Sequence, residues 1–288
     1  MILELRQDYQ SVSLQTWLKI SGLPKSSFYE WKVKLSKVNQ KEIELVNQIK
    51  LVIADSKGRY GYRRVTMTLD SKDIKVNHKR VYRLMKKYDL LCRKFTRRSR
   101  KFNSYKGEIG KIADNLLDRN FNIDTFNKVW VTDVTEFKVR NRRLYLSPIM
   151  DLYNGEIIAY NTSTHPTVKF TTAGLDKALK KLPGNHSLMI HSDQGFHYQN
   201  KQWVKRLEKH NIKQSMSRKG NCIDNAPMEN FFGILKQEMY YGEKYKTVEE
   251  LEQNIKEYIK WYNQKRIKCK LKGLSPVQYR QESLQANI

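Results

Sequence analysis

Apolar residues recur at helical spacing in the first part of the chain and switch to strand-like alternation after residue 125. Leu14, Trp17, Leu18 and Ile20 share a helical stripe that Gly22 and Pro24 break, and Ser26, Ser27, Phe28, Tyr29 and Trp31 start a second one. Two short helices over 13–35 joined by a glycine-containing turn read either as a helix-turn-helix or as a plain αα-hairpin. Ile43, Val46, Ile49 and Val52 predict a helix over 38–56, stopped by the glycine pair in Lys57-Gly58-Arg59-Tyr60-Gly61-Tyr62-Arg63-Arg64. Helices over 62–71 and 77–90 follow. In the second, Val81, Leu84 and Met85 face inward, and His78, Lys79, Arg80, Arg83, Lys86 and Lys87 occupy the other positions. That is a second helix-turn-helix pattern with a cationic outer face.

Beyond 125 the pattern predicts strands over 128–138, 142–152 and 155–161, a helix over 167–182, a strand over 187–193, a helix over 199–211 and a strand over 213–217. A long helix over 224–240 and a last one over 247–264 complete the set. Strands in series followed by alternating helix and strand make an α/β sheet with helices packed on it.

Charge sharpens this picture. Lys and Arg number 55 against 29 Asp and Glu, a formal net charge of +26, which points to a polyanion partner, most often nucleic acid. Residues 93–101 carry six basic side chains and no acid. Self-repulsion keeps such a segment extended, so a linker is expected over 93–125, with Arg97, Arg98 and Arg100 able to lie along a DNA backbone. The three cysteines, Cys92, Cys222 and Cys269, have no CxxC spacing, which argues against a zinc site or a disulfide framework and suits a reducing cytoplasm. With no leader-like start and no apolar run of 18 residues, neither a signal peptide nor a membrane span is expected.

Three acids stand out from ordinary surface charge. Period two puts Val129, Val131, Asp133 and Phe137 on one strand face. A carboxylate there needs a salt bridge, a hydrogen-bond network or a metal to offset its burial. Asp193 ends a strand just before Gln194 and Gly195, where a glycine permits a sharp turn and close approach of a ligand. Glu229 lies on the 224–240 helix, with Asp224 as its expected N-cap and Lys236 two turns further along the same face. Hard oxygen donors in this combination suit Mg²⁺ or Mn²⁺, and a pair of such ions activates an attacking oxygen and stabilises the leaving one at phosphorus. Asp151 reads as a turn acid, Glu238 as facing elsewhere, His197 as a solvated loop residue, and His191 as either a donor behind Asp193 or a packed strand histidine.

Val131-Thr132-Asp133-Val134-Thr135, His191-Ser192-Asp193-Gln194-Gly195 and Asp224-Asn225-Ala226-Pro227-Met228-Glu229-Asn230-Phe231-Phe232 resemble the motifs of the DDE transposases of bacterial insertion sequences. So do Tyr60-Gly61-Tyr62-Arg63-Arg64, Asn77-His78-Lys79-Arg80-Val81, Tyr262-Asn263 and Ser275-Pro276. These enzymes belong to the retroviral-integrase superfamily, and the chain looks like the downstream-frame product of a two-reading-frame element. The viral relatives' amino-terminal His/Cys zinc module has no counterpart in it.

The resemblance implies a ribonuclease-H-like core, a mixed five-stranded sheet with helices, over 126–265. Helix-turn-helix modules are expected over 1–36 and 37–92, the linker over 93–125 and a tail over 266–288. It implies Asp133, Asp193 and Glu229 as metal ligands and catalytic residues for Mg²⁺, with Mn²⁺ able to substitute. Lys236 would contact DNA near the element's end and Asn225 would position it, while Arg63, Arg64, His78, Lys79, Arg80 and Arg83 would bind DNA with the linker arginines. The implied partners are double-stranded DNA, both terminal inverted repeats and target, and further copies of the chain in a dimer or larger assembly. The implied place is the bacterial cytoplasm, at the nucleoid. A transposase-derived nuclease, or a DNA-binding regulator using only residues 1–100, is the alternative.

Overall fold

The computed structural model describes residue 9 and residues 11–36, 40–95 and 112–285. The chain divides into two compact units, 1–50 and 51–288.

In the first unit, α1 (Leu14–Ser21) starts at Ser13, whose Oγ accepts the Thr16 N–H at 3.2 Å, and ends on Gly22 at φ 66°. That left-handed residue is where a glycine costs least. Leu18 of α1 and Phe28 of α2 (Lys25–Ser36) are buried, while Ile20 and Trp31 are exposed. Along α3 (Gln40–Asp55), Leu45, Val46, Ile49 and Val52 are buried and Ile43 is exposed, so the inward stripe begins later than the spacing suggested.

The second unit begins within α3 and goes on to α4 (Tyr62–Asp70) and α5 (His78–Lys87), which bury Val65, Leu69, Val81, Leu84 and Met85. Asn77 caps α5 by accepting the Lys79 N–H at 2.8 Å.

The sheet contains β1 (Val129–Thr132), β2 (Thr135–Val139), β3 (Arg142–Asp151), β4 (Ile157–Ser163), β5 (Met189–Ser192) and β6 (Lys213–Met216). β3 pairs antiparallel with β1, β2 and β4, and β1–β5 and β5–β6 are parallel, so the sheet is mixed. It has six strands where five were expected. The difference lies in the first one, which is interrupted at Asp133 and Val134. Its register against β3 continues unbroken from Thr132↔Ile149 to Thr135↔Leu146, which sets Asp133 across from Pro148. Proline has no N–H to give, so the ladder opens there.

Alternation along the strands loads both faces. Val131, Phe137, Leu146 and Met150 pack with Phe231, Phe232 and Leu235 of α9 (Ala226–Leu235) and with Leu251, Ile255 and Ile259 of α10 (Val248–Gln264). On the other face, Trp130, Ile149 and Ile158 pack with Leu175 and Ala178 of α6 (Val168–Leu179) and with Trp203 and Leu207 of α8 (Lys201–Lys209). The short α7 (Phe196–Gln199) precedes α8.

The helix expected over 224–240 is three pieces: a 3₁₀ turn at Cys222–Asn225, α9, and a π turn at Lys236–Tyr240 closed by Tyr241 N–H to the Lys236 carbonyl at 2.7 Å. The wider turn leaves both Glu238 and Met239 buried. Glu238 faces elsewhere than Glu229, as expected, and does so inside the protein. Its carboxylate receives Arg266 Nη2 at 2.6 Å and the Tyr258 hydroxyl at 2.7 Å.

Residues 266–285, within the stretch 266–288 expected as a tail, are built into the same unit. Arg266 is 1% exposed. α11 (Pro276–Gln285) is tied down by Asn154 Nδ2 to the Pro276 carbonyl (2.8 Å), Arg280 Nε to Glu156 (2.8 Å) and the Tyr153 hydroxyl to Ser283 (2.7 Å). The approach to α4 is tied in too: Arg59 lies over the Trp261 ring at 4.5 Å, and the Tyr60 hydroxyl donates to the Lys265 carbonyl at 3.1 Å. Among the described residues, no helix is long and apolar enough to cross a membrane.

Candidate active site

β1 and β5 run parallel side by side, with Val131 opposite His191. Asp133 and Asp193 each lie two residues further on, at the carboxyl ends of neighbouring strands about 4.8 Å apart, where open α/β sheets hold ligands. Both side chains fold back on the local backbone. Asp133 Oδ1 accepts the Val134 N–H at 2.6 Å, and Asp193 Oδ1 accepts the Gly195 N–H at 2.9 Å. A Cβ on Gly195 would stand 2.9 Å from that same Oδ1, closer than carbon and oxygen tolerate. The Gly195→Ala variant should therefore push the Asp193 carboxylate aside. Displacements near 1 Å can cost on the order of 10²-fold in rate, so under the chemistry that the sequence resemblance implies, DNA cleavage should fall by about that much while binding of end DNA, measured in parallel, is unchanged.

Its helix brings Glu229 near enough to Asp133 for their charges to interact. Asn225 Nδ2 donates to the Thr132 carbonyl at 3.2 Å, which pins the start of α9 to the residue before Asp133. Glu229 follows one turn later. The electrostatics register the approach. Burial holds the Asp133 carboxyl well above the usual carboxylate range, and the charges of Asp193 and Glu229 raise it further, against the pull of the Val134 N–H and Lys236. Burial also raises Asp193, opposed by the Gly195 N–H and by His197. Lys236 Nζ lies 5.1 Å from the centre of the Phe137 ring.

Among the described residues, no three His, Cys, Asp or Glu side chains are gathered closely enough to hold an ion. The donor set nevertheless fits a hard divalent cation. It is oxygen-only, burial disfavours the charged form of both aspartates, and the charges of Asp193 and Glu229 further disfavour that of Asp133, which a cation would relieve.

The surroundings correct several expectations. His191 is a packed strand histidine. Ser215 Oγ accepts the N–H groups of Leu116 and Leu117 at 2.9 and 3.2 Å, so its own hydrogen goes to His191 Nδ1 at 2.9 Å. His191 Nε2 then carries the ring proton to Ser217 Oγ at 3.1 Å, and Ser217 passes its hydrogen to the Ser192 carbonyl at 3.3 Å. The ring is neutral, its pKa lowered to about 4 chiefly by burial. His197 is not a solvated loop residue: it is buried on α7, its Nε2 donates to the Pro166 carbonyl at 2.8 Å, and it lowers the pKa of Asp193. Sequence reasoning read it as loop because a four-residue helix is too short to show a periodic pattern.

Asp151 accepts from the turn, as expected, through the Tyr153 N–H (2.8 Å). It also accepts from the Asn127 N–H (2.7 Å) and Trp130 Nε1 (3.1 Å), with burial first among the causes that raise its pKa to about 6. Asp224 makes no side-chain cap to α9. Its buried carboxylate is taken by Arg119 and Arg218.

Of the expected DNA contacts, His78, Lys79, Arg80 and Arg83 are exposed on α5, beside Lys86 and Lys87. Arg63 is exposed as well, with its Nε 3.2 Å from the Tyr62 hydroxyl. Arg64 and Asn225 depart from expectation. Arg64 turns inward over the Tyr60 ring, 3.6 Å from Glu238, because the buried carboxylate outcompetes solvent for it. Asn225 is 4% exposed and occupied by Thr132, so it braces the helix and offers DNA no surface. Arg97, Arg98 and Arg100 lie outside the described residues.

A mixed sheet carrying two aspartates on adjacent strand ends, with a glutamate helix braced against the first, defines an integrase-type core. The integrase core domain family model matches residues 125–222, a second integrase core model matches 229–284, and an HTH-like domain matches 40–100. The chain is 43% identical over 285 residues to the putative transposase InsK for insertion sequence element IS150 of Escherichia coli K12, covering 99% of this chain and 98% of that one. It is 50% identical over 211 residues to an uncharacterized transposase-like protein of Haemophilus influenzae, covering 73% of this chain and 96% of that protein. The HTLV-2 integrase catalytic core in complex with magnesium (trimeric form) superposes with a TM-score of 0.43 at 19% identity, over 53% of this chain and 95% of that one. The chain belongs to the family of insertion-sequence transposases with an integrase core.

Proposed function

We propose that this transposase cuts and joins DNA at the ends of its insertion sequence, using Asp133, Asp193 and Glu229 as one metal-holding set. What supports the reading is the register of β1 and β5, which brings two aspartates to neighbouring strand ends beside the braced glutamate helix. Mg²⁺ is the expected ion, with Mn²⁺ able to take its place. Bound there, a divalent metal activates a water or a DNA 3′-hydroxyl and stabilises the leaving oxygen in attack on phosphorus.

The chain's own groups do the rest. The Val134 and Gly195 N–H groups fix the carboxylate orientations. Lys236, close enough to Asp133 to lower its pKa, neutralises a phosphate beside the cut. The exposed cations of α5, with Arg63, take the phosphate backbone of the terminal inverted repeats. Two ends and a target must be handled together, so a dimer or larger assembly is the working form, in the cytoplasm at the nucleoid.

A labelled-end assay with Mn²⁺ tests the reading. A transposase releases a 3′-hydroxyl end and joins it to target DNA. Cutting without joining would instead mean a nuclease, and binding without cutting a regulator.

A further inference from the structure

We propose that Asp224, held by Arg218 and Arg119, is the positioning residue for Glu229, so that the segment arriving from the basic stretch is a working part of the active site. This rests on the assignment of Glu229 to the metal-holding set.

The geometry begins with one carboxylate that receives five donors. Arg218 reaches it with its backbone N–H (3.0 Å), Nε (2.9 Å) and Nη2 (2.9 Å), Arg119 with Nε (2.7 Å) and Asn115 with Nδ2 (3.2 Å). The Asp224 side chain is fully buried, whereas those of Arg218 and Arg119 are 50% and 42% exposed. The arginines therefore converge from outside on an anchored acid. Their hydrogen bonds hold its carboxyl well below the usual carboxylate range.

The clamp joins three pieces of chain. Arg119 comes from the segment 112–119, which lies along β6: the Met216 N–H donates to the Asp114 carbonyl at 3.2 Å, and Ser215 Oγ holds the Leu116 and Leu117 N–H groups. Arg218 comes from the loop after β6. Asp224 sits in the 3₁₀ turn, next to Asn225, which bonds Thr132, the neighbour of Asp133. One continuous run of contacts thus links the incoming segment to both Asp133 and Glu229.

The turn that delivers Arg119 is itself costly. Asp118 and Arg119 stand at φ 38° and 62°, in the left-handed region that non-glycine residues avoid. Such strain persists only where the surroundings over-determine it, and the clamp is what does so here.

A clamp that only served folding would change how much protein is folded, and the remaining molecules would handle metal normally. A clamp that positions Glu229 changes the metal requirement itself. Removing a group hydrogen-bonded to a metal ligand typically costs about 10–100-fold in metal affinity or activity, and Asp224, which acts on Glu229 through the turn and not by direct contact, should reach the lower part of that range. For Asp224→Asn, the Mg²⁺ concentration giving half-maximal end cleavage should rise by roughly that factor, Mn²⁺ binding measured directly should weaken in parallel, and end-DNA binding should hold. Arg119→Gln, altering a half-exposed side chain and leaving the Arg218 pair intact, should shift both quantities in the same direction by less, and it carries the test if Asp224→Asn does not fold. Half-saturation and Mn²⁺ affinity within about twofold of the unaltered protein would overturn the proposal, as would lost cleavage with an unchanged metal requirement. Glu229→Gln run alongside separates the two ideas: if it still cleaves, the site assignment fails, and if it is dead while Asp224→Asn behaves normally, only the clamp fails.

Discussion

Asp133→Asn, Asp193→Asn and Glu229→Gln should each abolish cleavage and joining while end DNA is still bound. Each exchange keeps the side chain's shape and removes one charged oxygen donor. Transition-state stabilisation by a metal at phosphorus is worth several kcal/mol, so a drop of about 10³-fold or more is expected for every variant. Thermal denaturation without divalent metal separates chemistry from folding. Asp133 carries a folded-state pKa well above its ordinary value, from burial first and then from its acidic neighbours. An acid whose pKa is raised on folding favours the folded state most below its unfolded pKa, and that advantage is lost as pH rises through the folded value. At neutral pH the metal-free protein therefore carries the cost of a buried, crowded carboxylate. Asp133→Asn removes it, so this variant should melt higher than the unaltered protein in chelator while being inactive in Mg²⁺. An inactive variant that also melts lower would point to damage in the fold.

The largest effect on stability should come from Glu238→Ala. Its carboxylate accepts Arg266 Nη2 at 2.6 Å and Nε at 2.9 Å and the Tyr258 hydroxyl at 2.7 Å, with Arg64 Nη1 at 3.6 Å. Beside it stand Arg266, 1% exposed, and Arg64, whose guanidinium burial and the neighbouring Arg266 charge both disfavour. Without Glu238, Arg266 and Arg64 repel one another with no carboxylate between them. Breaking a buried pair from one side costs about 3–5 kcal/mol. At roughly 2–4 °C per kcal/mol for a unit of this size, the melting temperature should fall by roughly 10 °C. Replacing both partners, Glu238→Leu with Arg266→Met, should recover most of the loss, because swapping a whole buried pair for apolar groups is often neutral. If the double variant is no more stable than Glu238→Ala, the loss comes from something other than a stranded cation.

The parts of this molecule that sequence reveals are the parts set by local pattern. Helical and strand periodicity located the main elements through residue 264, and Asp133, Asp193 and Glu229 could be singled out as candidates because acids in apolar runs are conspicuous. What escaped was set by contacts distant in sequence. Asp133 lies in a gap because Pro148 sits across from it, which no reading of 128–138 alone contains. Glu238 was read correctly as facing elsewhere than Glu229, but its burial is set by Tyr258 and Arg266, which lie beyond its own helix. Asp224 satisfied the statistics of a helix cap, yet its partners come from residues 115, 119 and 218. Arg64 belonged to a basic motif and was drawn inside by an acid far along the chain.

The claim on which the rest depends is that three carboxylates serve one metal site. Mn²⁺ binding followed by electron paramagnetic resonance, on the full chain complexed with its end DNA, tests it most directly. Saturable Mn²⁺ binding is expected for the unaltered protein, with marked weakening in Asp133→Asn, Asp193→Asn and Glu229→Gln alike. Unchanged stoichiometry and affinity in all three variants would contradict the claim.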